Sequence, residues 1–468
     1  MGIKSGYFGI IIIDNNIQID EPKGQAEYRP AGLYETDFIA HSIGMNNFTQ
    51  RLADTDMVDR LLPRFTRYVQ IWTTSDRHIA ETPSTPGQWD LAKMLVDELK
   101  GLGIEQVELT DHCYVIARLP ATPGCEQAPA IGLMAHMDTA SDVSGKDVHP
   151  IVTKHYDGSV LSLKDGLSLD PAKDEALAKR IGDTIIHTDG TTLLGADDKA
   201  GVAEIMAVVD YLQSHKDVAH GPLEIVFSPD EETGKGLPEF PLEAFKAKAF
   251  YTLDGGPAGE LEVECFTAYK IDVLCHGKAI HIGAARGKLA NATMMAATYA
   301  TMLPRSESPE ATDGYYGYYC PIEIKGDLEE ASLEIYIRDF DQKEIERRLA
   351  ALELFGKTVE ALFPGGRVEV KPQLQYINMK QKIDEHPKVL ELLEQAAERA
   401  GVKAYLKPIR GGTDGSRLTQ MGIPTPNVYT GGHNYHSRTE WASLSDMVAA
   451  ARTVLELIQL WAKEGDLA

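Results

Sequence analysis

The chain has 468 residues, more than one hydrophobic core usually holds, so two domains are expected. Hydrophobic residues make up 43% and charged residues 25%, a globular profile and not a disordered one. A net charge of −24 repels nucleic-acid phosphates and anionic membrane surfaces, so neither is expected as a partner.

Five scattered cysteines, Cys113, Cys125, Cys265, Cys275 and Cys320, include no CxxC pair. That argues against a thiolate zinc site and a disulfide framework, and leaves reduced thiols in a cytoplasmic protein as the expectation.

In chain order, the apolar run at 9–13 falls well short of the roughly twenty residues of a membrane-spanning helix and is broken by Asp14. It also lacks the basic leader and cleavage site of a secretory signal. Residues 1–45 are therefore read as an appended segment of unassigned role, with a strand at the apolar run as one option. Between Met57 and Leu102 apolar residues recur at helical spacing in two blocks, Val58-Leu61-Leu62-Phe65-Val69 and Trp89-Leu91-Met94-Leu95-Leu99, parted by the turn-rich stretch 82–87.

Short apolar runs of strand length follow at 130–135, 223–227, 249–253 and 426–430, with helical patterns at 200–212 and 447–461. Strands alternating with helices predict an α/β fold with a mainly parallel sheet and helices on both faces. In such sheets ligands gather beyond the carboxyl ends of the strands. From about 264 to 378 the pattern shifts to alternating strands at 268–274, 319–325, 332–340 and 367–371, with helices at 291–302 and 342–355, which predicts an inserted α+β domain. The main body, 46–263 and 379–468, is expected to resume with a strand at 408–410.

Polar clusters stand at the predicted strand ends. His136-Met137-Asp138 places two side chains on one side of an extended chain, so that His136 could ligate a metal while Asp138 orients the imidazole; alone, His-x-Asp is a common chance pattern. Gly195-Ala196-Asp197-Asp198 opens a helix, where acidic pairs often serve only capping and the dipole. Asp197, at the glycine-flanked turn, could instead bridge two cations. In Pro229-Asp230-Glu231-Glu232, adjacent glutamates point in different directions, one free to hold a metal and the other to act as general base, although a solvated acidic turn reads as well. Asp254-Gly255-Gly256 and His433-Asn434-Tyr435-His436 complete the set. Five places offering imidazoles and carboxylates without a thiolate suit zinc or a similar cation, in the number two metals sharing a carboxylate would need.

In this order, from about Asp56 to Ala462, these motifs resemble the tripeptide aminopeptidases of the M20 metallopeptidase family (M20B). The most specific stretches are Thr191 through Gly201, Pro408-Ile409-Arg410-Gly411-Gly412-Thr413-Asp414-Gly415 and Asn434-Tyr435-His436. The resemblance implies a zinc-dependent exopeptidase fold with the insert as a lid, two Zn2+ per chain and short peptides, chiefly tripeptides, as substrates. It implies one zinc on His136 and Asp254, a second on Glu232 and His436, and Asp197 bridging them. Glu231 would activate a water between the metals, Asp138 would support His136, and His281 in the lid would stabilise the oxyanion. Asn291, Arg338 and Arg410 are the expected grips on the peptide carboxylate. For Arg338, pairing with Asp339 or Asp341 is an equal reading.

Two features depart from the family pattern: the leading segment, and Ile282 where similar enzymes carry proline after the lid histidine. His433 is placed at the rim. The alternatives are a related hydrolase of dipeptides or N-acyl amino acids, and a catalytically silent binding protein on the same fold. No G-x-G-x-x-G or P-loop follows a predicted strand, which sets a nucleotide-binding enzyme aside. The oligomeric state stays open, a homodimer among the options.

Overall fold

The computed structural model describes Arg51 and residues 54–465; the apolar run at 9–13, with the rest of residues 1–45, lies outside the described residues. Helices Thr55–Tyr68 and Gly87–Gly101 form where apolar spacing predicts them. The Asp54 carboxylate caps the first by accepting from Met57 N at 3.3 Å. Met57, Leu61 and Phe65, and then Leu91, Leu95 and Leu99, recur every fourth residue and are buried.

An eight-stranded sheet forms the main body, in the order Gln106–Leu109, Val115–Leu119, Leu223–Ser228, Ile131–His136, Ala249–Gly255, Asn427–Tyr429, Glu260–Glu262 and Tyr405–Leu406. The four strands from Leu223–Ser228 to Asn427–Tyr429 run parallel. Val115–Leu119 and Glu260–Glu262 run antiparallel to their neighbours in that group. The central strands read as unbroken apolar runs because both faces are covered. On one face Leu133, Ala135, Ile225, Phe227 and Leu253 pack in the main core, which includes helices Ala196–Ser214 and Leu444–Trp461. On the other, Met134, Val226 and Phe250 meet Leu237, Phe240 and Leu418.

Gly201 allows the helix Ala196–Ser214 to approach the sheet: a Cβ there would lie 1.9 Å from the Leu253 carbonyl oxygen. The helix N-terminus is thereby pressed against the strand that ends at Asp254 and Gly255. The segment 408–410 is not a strand: Ile409 forms a single bridge to Cys265, and pairing occurs instead at Tyr405–Leu406.

Strands Tyr318–Gly326, Glu330–Asp339, Thr267–His276 and Arg367–Tyr376 form a separate antiparallel sheet. Ile271, Val273 and Cys275, with Ala331, Leu333, Ile335 and Ile337, alternate onto one face and build their own core with helices Ala292–Met302 and Gln342–Leu362. A third, small sheet of Gly432–His433, Trp441–Ser443, Ile185–His187 and Ile151–Thr153 carries the loop that contains His436. Among the described residues no helix is long and apolar enough to cross a membrane.

Candidate metal centre

The parallel register aligns His136 with Ser228, so two strand ends and the loops beyond them meet at one place. His136, the last residue of its strand, is buried. Its Nε2 lies 2.9 Å from Asp197 Oδ1 and 3.7 Å from Asp254 Oδ1. His436 Nε2 lies 3.3 Å from Asp197 Oδ2 and 3.1 Å from Glu232 Oε1. Asp197 thus turns one oxygen to each imidazole, Asp254 completes one side and Glu232 the other.

Carboxylates behind the cluster fix this arrangement. Asp138, fully buried, lies with Oδ1 3.3 Å from His136 Nδ1 and accepts from Glu231 N at 3.0 Å and Glu232 N at 3.2 Å. It therefore orients an imidazole and both glutamates at once. The turn that bears them, Glu231–Thr233, follows Asp230, whose side chain accepts from Ser84 N and Oγ and from Gln88 Nε2. Asp142 Oδ2 lies 3.3 Å from His436 Nδ1.

Glu440, buried, clamps the loop that carries Asp197. Its Oε2 accepts from Leu194 N at 2.7 Å and Gly195 N at 2.9 Å, and its Oε1 from Ala196 N at 2.7 Å and Asp197 N at 3.3 Å. Asp198 does take part in local capping, accepting from Gly201 N, but its second oxygen holds His136 N at 3.1 Å.

The electrostatics fit a cation. Burial resists ionisation of Asp197, yet the two imidazoles bonded to it hold it below the usual carboxylate range. Burial above all, then Asp197, pushes Glu232 up to about 7, and burial, then neighbouring carboxylates, pushes Glu231 well up. Asp197 and Glu232 drive His436 up to about 11, so the imidazoles carry the charge that balances the carboxylates. Glu232 Oε1 is buried, and its 3.1 Å contact with the His436 imidazole lacks the alignment of a hydrogen bond. His136, Asp197 and Glu232, like His136, Asp198 and Asp254, offer ligand atoms all within 4.8 Å of one another. Zinc bonded to N and O at about 2.0–2.2 Å spaces tetrahedral ligands about 3.3 Å apart, close to the separations around Asp197. Of the two aspartates at the helix start, Asp197 is the freer ligand, because backbone N–H groups engage both oxygens of Asp198.

Four further expected residues stand elsewhere. His281 is exposed, and its Nδ1 accepts from Gly283 N at 3.2 Å. The Asn291 side chain caps its helix by accepting from Met294 N. Arg338 is buried, donates to Tyr269 O and Ile337 O and lies over the Tyr336 and Tyr376 rings. Its alternative partner Asp339 pairs with Arg348 instead. Arg410 donates to Gly314 O, Tyr316 O, Thr312 O and Thr312 Oγ1, which commits both terminal nitrogens to one loop. None of the four lines the cavity of about 420 Å³ beside the cluster. His433, expected at the rim, is instead buried in its wall and stacked on Trp441 at 3.8 Å. No motif pointed to Asp142 or Glu440; the only signal for Glu440 is a lone acid four residues past His436.

A largely parallel sheet whose strand ends gather two imidazoles and several carboxylates defines a metal-dependent hydrolase of α/β architecture. Residues 187–460 match the model of peptidase family M20/M25/M40, and the chain belongs to this family. It is 43% identical to peptidase T of Geobacillus thermodenitrificans over 407 residues, 86% of this chain and 99% of that relative. Its fold is similar to that of aminopeptidase PepT from Bacillus cereus, with a TM-score of 0.65 and 26% identity over 87% of this chain and 99% of that one. A tripeptidase from Staphylococcus aureus gives a TM-score of 0.68 at 24% identity with the same coverage.

Proposed function

We propose that the protein is a cytoplasmic tripeptide aminopeptidase that releases the N-terminal residue of tripeptides with two divalent cations, zinc by the donor set. The observation that carries this reading is Asp197, with one oxygen facing each imidazole and Glu231 held beside it by Asp138. His136 and Asp254 would hold one cation, Glu232 and His436 the other, and Asp197 both. The cations, when bound, supply Lewis-acid polarisation of the scissile carbonyl and lower the pKa of the attacking water. Glu231 accepts the proton of that water and delivers it to the leaving amine. Asp138 keeps Glu231 in place through its backbone N–H.

Residues 46–263 and 379–468 would form the catalytic domain and 264–378 the lid. His281, exposed and hydrogen-bonded within its own turn, would reach the reaction centre on closure, where its imidazole can stabilise the oxyanion. Asn291, Arg338 and Arg410 keep the role of gripping the peptide carboxylate, which for Arg410 requires release of the 312–316 loop. The close identity to a peptidase T over nearly the whole of that relative supports the tripeptide as substrate. Free cysteines throughout the described residues support a reducing compartment.

The test is metal content together with hydrolysis of a dipeptide, a tripeptide, a tetrapeptide and an N-acetylated tripeptide, with and without chelator. Two metals per chain and chelator-sensitive cleavage confined to the free tripeptide are expected. Preference for the dipeptide or the acetylated substrate would move the function to the related hydrolases, and no metal with no turnover would leave a binding protein.

A further inference from the structure

The cavity beside the carboxylate cluster reaches beyond it to the strand Glu260–Glu262. Residues two apart on a strand face the same side, so Glu260 and Glu262 both turn to the cavity while Leu261 enters the core. The two glutamates differ in one respect. Glu260 is neutralised: both its oxygens accept from Lys407 Nζ at 2.9 Å, and Oε2 also accepts from the Tyr405 hydroxyl.

Glu262 is 8% exposed and forms no ion pair with any described lysine, arginine or histidine. Its one hydrogen bond among the described residues comes from Asn427 Nδ2 at 3.2 Å to Oε2. That amide is held in orientation because its Oδ1 already accepts from the hydroxyls of Thr252 and Thr413. Oε1 of Glu262 is left for a ligand. In the same cavity wall, His433 is also 8% exposed, is fixed by its stack on Trp441, and has a buried Nε2 without a partner.

Burial first, then Glu260 and Asp254, push the Glu262 carboxyl well above the usual range against the weaker field of Lys407, and a carboxyl in that position that opens on a ligand cavity gains most from a ligand that brings a cation into contact with it. Position identifies which cation. Glu262 pairs with Asn427 and Asn427 with Thr252, so Glu262 stands two strand spacings, roughly 10 Å, from Thr252, two residues before Asp254 on the same strand. Glu262 and Asp254 both line the cavity, whose volume of about 420 Å³ has room for an α-carbon and its amino group. The α-amino group of a peptide is adjacent to its first carbonyl, so an acceptor for it has to adjoin the reaction centre in this way. It is largely protonated at neutral pH, with a pKa of about 7.7–8.0, and offers three donors.

We propose that Glu262, with His433 in the wall of the same cavity, is the receptor for the α-ammonium group of the substrate and gives substrates with a free N-terminus their advantage in turnover. This rests on the aminopeptidase reading and assigns the part of the site that would make it one. Lys407 contributes by withdrawing Glu260 from competition for the same ammonium group.

The test uses the full chain loaded with zinc and two substrates that differ only in the amino group, Ala-Gly-Gly and propionyl-Gly-Gly. The wild type is expected to favour Ala-Gly-Gly at least about 30-fold in kcat/KM, the scale of truncating one partner of a buried charge pair. Glu262→Gln should lower kcat/KM for Ala-Gly-Gly by about the same factor, mainly through KM, with propionyl-Gly-Gly changed less than about threefold and zinc content unchanged. Turnover of the propionyl substrate also shows that the variant is folded. Should Glu262→Gln not fold, Glu262→Asp keeps the charge and retracts it, and is expected to raise KM for Ala-Gly-Gly alone. A wild type that cleaves both substrates equally, or a folded Glu262→Gln as efficient on Ala-Gly-Gly as the wild type, overturns the inference and leaves the peptidase reading standing. A wild type that cleaves no tripeptide overturns both.

Discussion

Replacing Glu440 with glutamine tests whether the metal centre is held from behind. The carboxylate accepts four backbone N–H groups, two on each oxygen, from the loop Leu194 to Asp197. In Glu440→Gln one oxygen becomes an NH2 group, so in either amide orientation two of these N–H groups lose their acceptor and face a donor. Hydrogen bonds to a charged group are each worth about 1.5–3 kcal/mol, which puts the local cost of losing two at about 3–6 kcal/mol before relaxation. The loop relieves this by moving, and Asp197, which faces both imidazoles, moves with it. Loss of such a supporting partner typically lowers metal affinity about 10- to 100-fold. The assay is competition for zinc against a chromogenic chelator, read beside the melting temperatures of the apo and loaded forms. Expected are weaker zinc binding, a smaller stabilisation by zinc and a fall in kcat. A folded variant that binds zinc as tightly as the wild type would refute the reasoning.

Glu231→Gln should retain both metals and lose about 10²–10⁴-fold in kcat; full activity would remove Glu231 as the base. Arg410→Ala should raise KM for free tripeptides far more than for their C-terminal amides, and equal effects would confine Arg410 to its visible work of holding the 312–316 loop. His433 gives a pH signature. Burial first, then Arg180, lowers it from 6.5 to about 4, against opposing fields from Asp446 and Asp174. Below 6.5 the unfolded chain takes up a proton that the folded imidazole refuses, so its stabilising contribution is full above 6.5 and is lost as pH falls towards 4. In His433→Phe, urea unfolding at pH 7 and pH 4.5 should show a smaller acid loss than in the wild type, by up to about 3 kcal/mol; an unchanged loss would place the acid sensitivity elsewhere.

The elements legible in sequence are those that physics makes periodic. The apolar run at 130–135 becomes the strand Ile131–His136, and 223–227 becomes Leu223–Ser228, because both faces of these strands are buried. The helices at 55–68 and 87–101 show a four-residue repeat because each presents one stripe to the core. The strands Ile185–His187, Gly432–His433 and Trp441–Ser443 are two or three residues long, too short to express any period, although the loop bearing His436 depends on them. At 408–410 the apolar pattern suggested a strand, but Pro408 has no N–H to pair, and pairing falls on exposed Tyr405 and Leu406.

In the candidate site, the proposed ligands are legible because acids and imidazoles at strand ends stand out against the apolar runs before them. The residues that hold those ligands in place had no such contrast. Asp142, Glu440 and Glu262 act through imidazole or backbone N–H groups, or through the absence of a cation, and those relations exist only once distant segments meet. Glu440 is 243 residues from one of the N–H groups it accepts, and Glu262 is 165 from the amide it accepts. A motif therefore identifies atoms able to bind a metal, but not what would keep the proposed bridging aspartate rigid or would select a substrate with a free amine. Those properties depend on which buried carboxylates have donors or cations and which lack them, so mutations at Glu440 and Glu262 are the most informative perturbations: one should alter the metal and the other the substrate, with Glu231 intact in both.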